Sequence, residues 1–346
     1  MILAGDIGGT TTRLAWFDTS GGCLKRTSVR DYPSRDYAGL DAIAREFVGM
    51  RSEPIDHAAF GIAGPVRAGR VATTNLPWSV DAGGLSAALG VAAVSLLNDV
   101  EANVYGIAAL QPGDFAVLNA GDVNACGNLA VIAAGTGLGE AGAIWADGRL
   151  VPFGCEGGHA DFAPRDPLEM EMLEHLRQRF GHVSWERVVS GPGLCNIYAF
   201  LRDSGRGTEL PWVRERMREG DAAAAIAQAA IAGQCELCRG ALDRFVSLYA
   251  AEAGNLALKV LAIGGVYLGG GIAPKILDAL TGPAFMRSFP AKGRMQALLE
   301  AMPVRVVLHD DAALLGAARY AALQAGFSDP ALGVAKASTG DEDTRA

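Results

Sequence analysis

The feature that most constrains this chain is a set of three glycine clusters, each lying directly after an apolar run. They read DIGGTTTR at 6–13, AAGTGLGEAG at 133–142 and LGGGIAP at 268–274. Glycines at the end of a buried strand let the backbone turn sharply or approach a bound group, because no Cβ intervenes. In the first cluster, Gly8 and Gly9 leave room for a ligand and Thr10, Thr11 and Thr12 add hydroxyls, although a tight hairpin turn fits the same letters. Asp6 is an anion and would not touch phosphate directly. It suits Mg²⁺ held through water, since that ion keeps several of its waters. In the second cluster, Gly137, Gly139 and Gly142 spell the dinucleotide pattern GxGxxG. That pattern needs a helix directly after it to hold pyrophosphate. AGAIWADGRLV follows instead and reads as strand, so a Gly/Thr hairpin wrapping phosphate oxygens fits better. The third cluster either leaves a flat gap for a planar ring or allows close strand–helix packing. No GxxxxGK[ST] run occurs, which excludes a P-loop protein.

The rest of the chain supplies strands and helices in alternation. ILAGDIGGTTTRLAWFD predicts a hairpin, and AAFGIAG (58–64) and AVSLLND (93–99) predict buried strands with helices before them. FAVLNAG (115–121) and LAVIAAGTGLG (129–139) continue the pattern, and GAIWADGRLVP predicts another hairpin. The clearest helix is 166–180. Asp166 fits its N-cap, Pro167 its first turn and Glu169 a capping box; Leu168, Met172, Leu173, Leu176 and Phe180 form one face, and Gly181 ends it. Residues 221–263 are Ala-rich and read as mostly helical; 264–271 and 304–308 read as strands, and DAALLGAARYAALQ as a last helix. The class is α/β. With 346 residues, half of them hydrophobic, two domains are expected. The expected division is 1–108 plus 309–330 against 109–308, with 331–346 a mobile polar tail.

Charge and cysteines narrow the function. The net charge is −8, with Lys and Arg scattered, so no nucleic-acid partner is expected. The six cysteines are spread as in a reduced, cytoplasmic protein, and Cys235 with Cys238 makes one CxxC without a second pair. Small core residues on a helix face explain that pair without metal. Met1 leads straight into an apolar strand, so no signal peptide is expected. The longest apolar stretch contains Lys259 and several glycines and does not read as a membrane span.

Polar residues stranded at the ends of apolar runs mark the chemistry. Asn98 and Asp99 follow a strand and precede a helix, where α/β proteins place ligand groups. Asp99 is a candidate base for an alcohol, and Asn98 can donate and accept at once; alternatively, Asp99 only caps the helix. CEGGHADF (155–162) offers Glu156 and His159, and Glu186 stands before a Gly-Pro-Gly break at 191–193. Such a set matches a ring with several hydroxyls. Zinc at 155–162 lacks further ligands, because the other histidines, at 57, 175, 182 and 309, show no matching spacing.

The three glycine loops, in this order, resemble the phosphate-1, phosphate-2 and adenosine signatures of the actin-like ATPase (ribonuclease H-like) superfamily, which implies two α/β domains with ATP in an interdomain active-site cleft. More specifically, DIGGTTTRLAWF, LLNDVEANVYGI, AAGTGLGEAG, CEGGHADFAP, ERVVSGPGLCNIY and GGVYLGGGIAPKIL resemble the bacterial glucokinase family along nearly the whole chain. The related ROK sugar kinases add CxCGxxGC, which is absent here. The resemblance implies ATP-dependent phosphorylation of glucose at its 6-hydroxyl, in glycolysis. Asn98, Asp99, Glu156, His159 and Glu186 would hold the sugar, with Asp99 as base. Asp6, Gly8, Gly9 and Thr10, with Gly135, Thr136 and Gly137, would hold the phosphates and Mg²⁺. Gly270 and Gly271 would border adenine. A homodimer is the family expectation. One departure is the run Asp311 to Gly316, where the family has Pro-Gly-Leu-Leu-Gly; it bears on the start of the last helix. Three rivals stand beside this reading: a kinase for another hexose, a non-catalytic sugar sensor, and a non-sugar ATPase or phosphatase of the same fold.

Overall fold

The computed structural model describes residues 1–20, 24–50, 53–73 and 76–327; the expected tail at 331–346 lies outside them. Among the described residues the strands are β1 (Ile2–Ile7), β2 (Thr11–Asp18), β3 (Lys25–Pro33), β4 (His57–Ile62), β5 (Arg70–Ala72), β6 (Ser79–Asp81), β7 (Val94–Asn98), β8 (Phe115–Asn119), β9 (Leu129–Ala134), β10 (Leu138–Ala146), β11 (Arg149–Cys155), β12 (Gly265–Gly269) and β13 (Val304–Val307). The helices are α1 (Leu40–Val48), α2 (Ala82–Leu89), α3 (Asp99–Ile107), α4 (Pro167–Phe180), α5 (Gly191–Asp203), α6 (Pro211–Glu219), α7 (Ala222–Ile231), α8 (Glu236–Val260), the short α9 (Leu277–Leu280), α10 (Pro283–Ser288) and α11 (Gln296–Glu300), and α12 (Ala312–Gln324).

Among the described residues, two sheets share one plan. The first runs β3-β2-β1-β4-β7: an antiparallel meander followed by two parallel strands. The second repeats this as β11-β10-β9-β12-β13 and adds β8 antiparallel at its edge. The parallel strands are covered on both faces, which is why β4 is buried along its whole length.

Side-chain alternation decides what each sheet face meets. In β1, Leu3 and Ile7 pack with α1 and α2, while Ile2 and Ala4 pack with α3 and α12. Asp6 has the parity of Ile2 and Ala4. In β9, Leu129 and Val131 meet α3, while Ala130, Ile132 and Ala134 meet the core built around α8. Helix α3 therefore lies between the sheets, with Ala102 in one core and Val100, Val104 and Ile107 in the other. α12 crosses α3 on the face of the first sheet.

Two local expectations need correction. Glu169 does not close a capping box onto Asp166. Asp166 caps α4 by accepting from Glu169 N–H, but the Glu169 carboxylate accepts from Arg165 N–H and pairs with Arg165 and Arg244. A fully buried carboxylate takes the partners that neutralise it. Likewise, Gly191–Pro192–Gly193 is not a break but the first turn of α5, with Ser190 capping through Gly193 N–H. Proline in a first turn costs no hydrogen bond.

Candidate active site

The two sheets bring the polar residues together at one end of α3. Asn98 closes β7 and is the cap of α3: its Oδ1 accepts from Val100 N–H at 2.9 Å and Glu101 N–H at 3.3 Å, and its Nδ2 donates to Gly64 O at 3.3 Å. The capping alternative considered for Asp99 thus belongs to its neighbour. Asp99 is the first residue of the helix, and its Oδ1 accepts from Val100 N–H at 2.9 Å. Burial raises the Asp99 pKa above the ordinary aspartate range, and Glu156 adds to the rise.

Glu156 and His159 come from the second sheet. Glu156 caps the 3-10 turn Gly157–His159 and His159 ends it, with His159 Nε2 3.9 Å from Glu156 Oε2 and both side chains about half exposed. Two glycines are required because strand β10 passes directly beneath. A Cβ on Gly158 would overlap Leu138 O, and one on Gly157 would overlap the Glu140 carboxyl. Backbone bonds zip this loop to the next one: Phe162 N–H donates to Val183 O at 2.9 Å and Trp185 N–H to Ala160 O at 3.0 Å. His182 Nε2 meets Asp161 Oδ1 at 2.8 Å beside them. The zip carries Glu186 to the site. Cys155 takes no part; its thiol donates to Glu140 O at 3.4 Å.

Glu186 has a second connection that the sequence did not show. Its Oε2 accepts from Leu138 N–H at 3.0 Å, inside the second glycine loop. That loop is a hairpin tip between β9 and β10, closed by Gly135 N–H to Gly137 O at 2.9 Å, with no helix after it. Gly191 N–H reaches Gly135 O at 2.8 Å, so the start of α5 abuts the same tip. A Cβ on Gly137 would lie 2.5 Å from Glu186 Oε2. Gly137→Ala should therefore push Glu186 aside. Displacing a positioned group by about 1 Å costs up to ~10²-fold. If Glu186 holds the sugar and this loop the phosphates, as the resemblance implies, the KM values for sugar and nucleotide should rise together, by roughly tenfold or more, in initial-rate measurements; a rise in the nucleotide KM alone would separate the two loops.

Gly8, Gly9 and Thr10 form the tip between β1 and β2. Gly8 N–H donates to Thr11 O at 3.0 Å, and Ser34, unremarked in the sequence, braces the tip through Ser34 N–H to Thr10 O at 2.9 Å and its hydroxyl to Gly8 O at 2.8 Å. Asp6 stands below. Burial, then the nearby Asp99 charge, push its pKa up to about 7, against which Arg13 gives only part compensation. A divalent cation would neutralise such a carboxylate. No group of three or more His, Cys, Asp or Glu side chains suited to a metal occurs among the described residues. One carboxylate acting through water fits Mg²⁺, which is seldom caged by protein alone.

Beside the second glycine loop opens a cavity of about 830 Å³, lined by Gly135 and Thr136, the start of α5, the small side chains Ala223 and Ala227 of α7, Phe245 of α8, and Gly271, Ile272 and Lys275. Gly270 is held at φ +77°, with Ala134 O where a Cβ would stand, and turns the chain into this wall. The Ala-rich run at 222–227 was legible as helix but not as the wall of this cavity. The CxxC pair lies elsewhere, buried at the start of α8, where Cys235 Sγ accepts from Cys238 N–H.

A duplicated five-strand plan with glycine-tipped hairpins facing a cleft defines the actin-like ATPase fold. The glucokinase family model matches residues 3–324. The glucokinase of Synechocystis sp. is 42% identical over 92% of this chain and 97% of its own. A crystal structure of a glucokinase from an Antarctic psychrotroph is 31% identical, covers 92% of this chain and 98% of that one, and superposes with a TM-score of 0.78. The fold extends to a glucokinase from Balamuthia mandrillaris solved with glucose, at 21% identity, 93% coverage of both chains and a TM-score of 0.73. The chain belongs to the glucokinase family.

Proposed function

We propose that this chain transfers the terminal phosphoryl group of ATP to the 6-hydroxyl of glucose. The observation that carries the reading is the approach of Asn98 and Asp99, from one sheet, to Gly154 and Glu156 of the other, with Glu186 bonded to the hairpin tip at Leu138. Phosphoryl transfer asks for positioning and charge stabilisation more than covalent chemistry from the protein. Glu156, His159, Glu186 and Asn98 would hold the sugar hydroxyls. Asp99 would orient the 6-hydroxyl and take its proton late; a raised pKa brings it nearer the working pH of a general base. Gly8, Gly9, Thr10, Gly135, Thr136 and Gly137 would offer N–H and hydroxyl donors to the phosphates. The 830 Å³ cavity, lined by Gly271 and entered by the turn at Gly270, would take the adenine. Asp6 would hold Mg²⁺ through water, and the ion, when bound, supplies the charge that neutralises the phosphates.

The same reading divides the chain as 1–108 plus 309–330 against 109–308, supported by the packing of α12 on β1 and β4. It includes a homodimer on family grounds, which sedimentation would measure. It also includes a place in glycolysis in the cytoplasm, to which the five free thiols among the described residues are suited. No helix among the described residues is long and apolar enough to cross a membrane. A coupled glucose 6-phosphate assay over several sugars and phosphoryl donors tests the proposal. Turnover with ATP and glucose at roughly 1–100 s⁻¹, the ordinary range for kinases, is expected. ATP hydrolysis indifferent to any sugar would overturn it.

A further inference from the structure

Beneath the sugar loop lies a pair of carboxyl groups that the reaction does not use. Glu140 on β10 is 1% exposed and Glu252 on α8 is fully buried. The Glu252 oxygens have donors: Asn255 Nδ2 at 2.7 Å and Lys259 Nζ at 3.4 Å. Neither Glu140 oxygen has one. Glu252 acts on Glu140, and burial raises the pKa of both, against which Glu252 has Asn255 and Lys259; two such carboxylates do not both carry charge, and an acceptor-only group without a donor is satisfied only by its own proton. The charge therefore belongs on Glu252 and the proton on Glu140. The Glu140 carboxyl also fills the space where a side chain at Gly157 would stand, between Glu156 and His159.

We propose that Glu140 is a positioning residue: kept protonated and donating to Glu252, it props Gly157 and so sets the placement of Glu156 and His159. This rests on the sugar-binding role proposed above. Burial and then Glu252 push the Glu140 pKa up to about 8, with Lys259 opposing. The other ionisable groups around it are Cys155 and Glu156 on the loop side and, behind Asn255, Lys292. Burial and then Arg165 hold Lys292 down at about 8, so it titrates in the same range.

The sign is fixed by the direction of the shift. A carboxyl whose pKa is raised by folding contributes stability below the ordinary glutamate range and loses it as pH rises through about 8. If only the protonated pair holds the loop, the glucose KM should rise roughly tenfold one pH unit above the midpoint. The experiment compares glucose KM and kcat, at saturating ATP, for the wild type and Glu140→Gln from about pH 6.5 to about pH 9.5. Glutamine keeps the donor and cannot ionise. The wild-type KM should climb with pH while kcat moves little, and the Gln variant should show a KM independent of pH. A flat wild-type KM would sink the inference, and an unchanged alkaline rise in Glu140→Gln would sink it too, placing the effect on another group such as Lys292 or Cys155. Because the Gln variant retains the buried hydrogen bond, it should fold; a thermal melt verifies this. Absence of glucose phosphorylation at every pH would defeat the proposed function, whereas turnover with a pH-independent KM defeats only the role of Glu140.

Discussion

Asp99→Ala should lower kcat by ~10²–10⁴, the usual contribution of a general base, while changing the glucose KM far less. The variant is informative because the fold does not depend on this side chain. Asn98 caps α3, accepting from Val100 N–H and Glu101 N–H, and that cap survives when Asp99 is shortened. The Asp99 carboxylate gives the helix only a bond from Val100 N–H that Asn98 already makes. A lost cap typically costs ~1 kcal/mol; none is lost here, so the thermal midpoint should move little. Asp99→Asn should lose nearly as much rate, because the amide keeps the shape but cannot take a proton. Removing an acid from the neighbourhood of Asp6 also relieves one cause of the raised Asp6 pKa, which should help nucleotide binding rather than weaken it. Turnover near the wild-type value in either variant, in the coupled assay, would remove Asp99 from the proposed role.

What the sequence made legible follows the range of the interactions involved. The hairpin at the N-terminus, the helix from Pro167 to Phe180 and the hairpin at Asp147–Gly148 are set by residues within a few positions of each other, and each forms as expected. The duplication of the sheet plan is not legible, because β9 pairs with β12 across more than a hundred residues, and no local pattern encodes that pairing. The site residues Glu156, His159 and Glu186 were legible only as a set matching a polyhydroxylated ring; their roles came through the family resemblance. The bond that ties Glu186 to the phosphate loop depends on a zip between two loops that no local pattern encodes. Glu140 left one signal: a lone charge within the apolar run LGEAGAIW, in the half of β10 that is buried and should carry none. Asp311, the departure from the family pattern, does not cap α12 through its side chain; Arg13 and Arg26 hold its carboxylate instead. The helix still starts at Ala312.

Gly316→Ala should be among the most destabilising single-methyl additions in this chain. Helices α3 and α12 cross backbone to backbone at two glycines. A Cβ on Gly316 would overlap Ala102 O and lie 2.7 Å from Ala102 C and Gly106 N, and a Cβ on Gly106 would overlap Ala312 O. Two effects oppose each other. Alanine in a helix interior is favoured over glycine by roughly 0.5–1 kcal/mol. Overpacking costs typically 1–3 kcal/mol, and the upper end applies where the obstructing atoms are backbone that no rotamer change can move. The net loss should be about 2 kcal/mol, read as a lower urea midpoint with an unchanged slope. Gly113→Ala, with no neighbour within 4 Å of the added carbon, is the control and should stay within about 0.5 kcal/mol of the wild type. The consequence reaches the site, because α3 cannot yield at Ala102 without moving Asn98 and Asp99 at its start and Val100, Val104 and Ile107 against the second sheet. Gly316→Ala should therefore also lower kcat/KM at temperatures where the protein is still folded. A variant as stable and as active as the wild type would show that α3 and α12 stand further apart than this crossing requires.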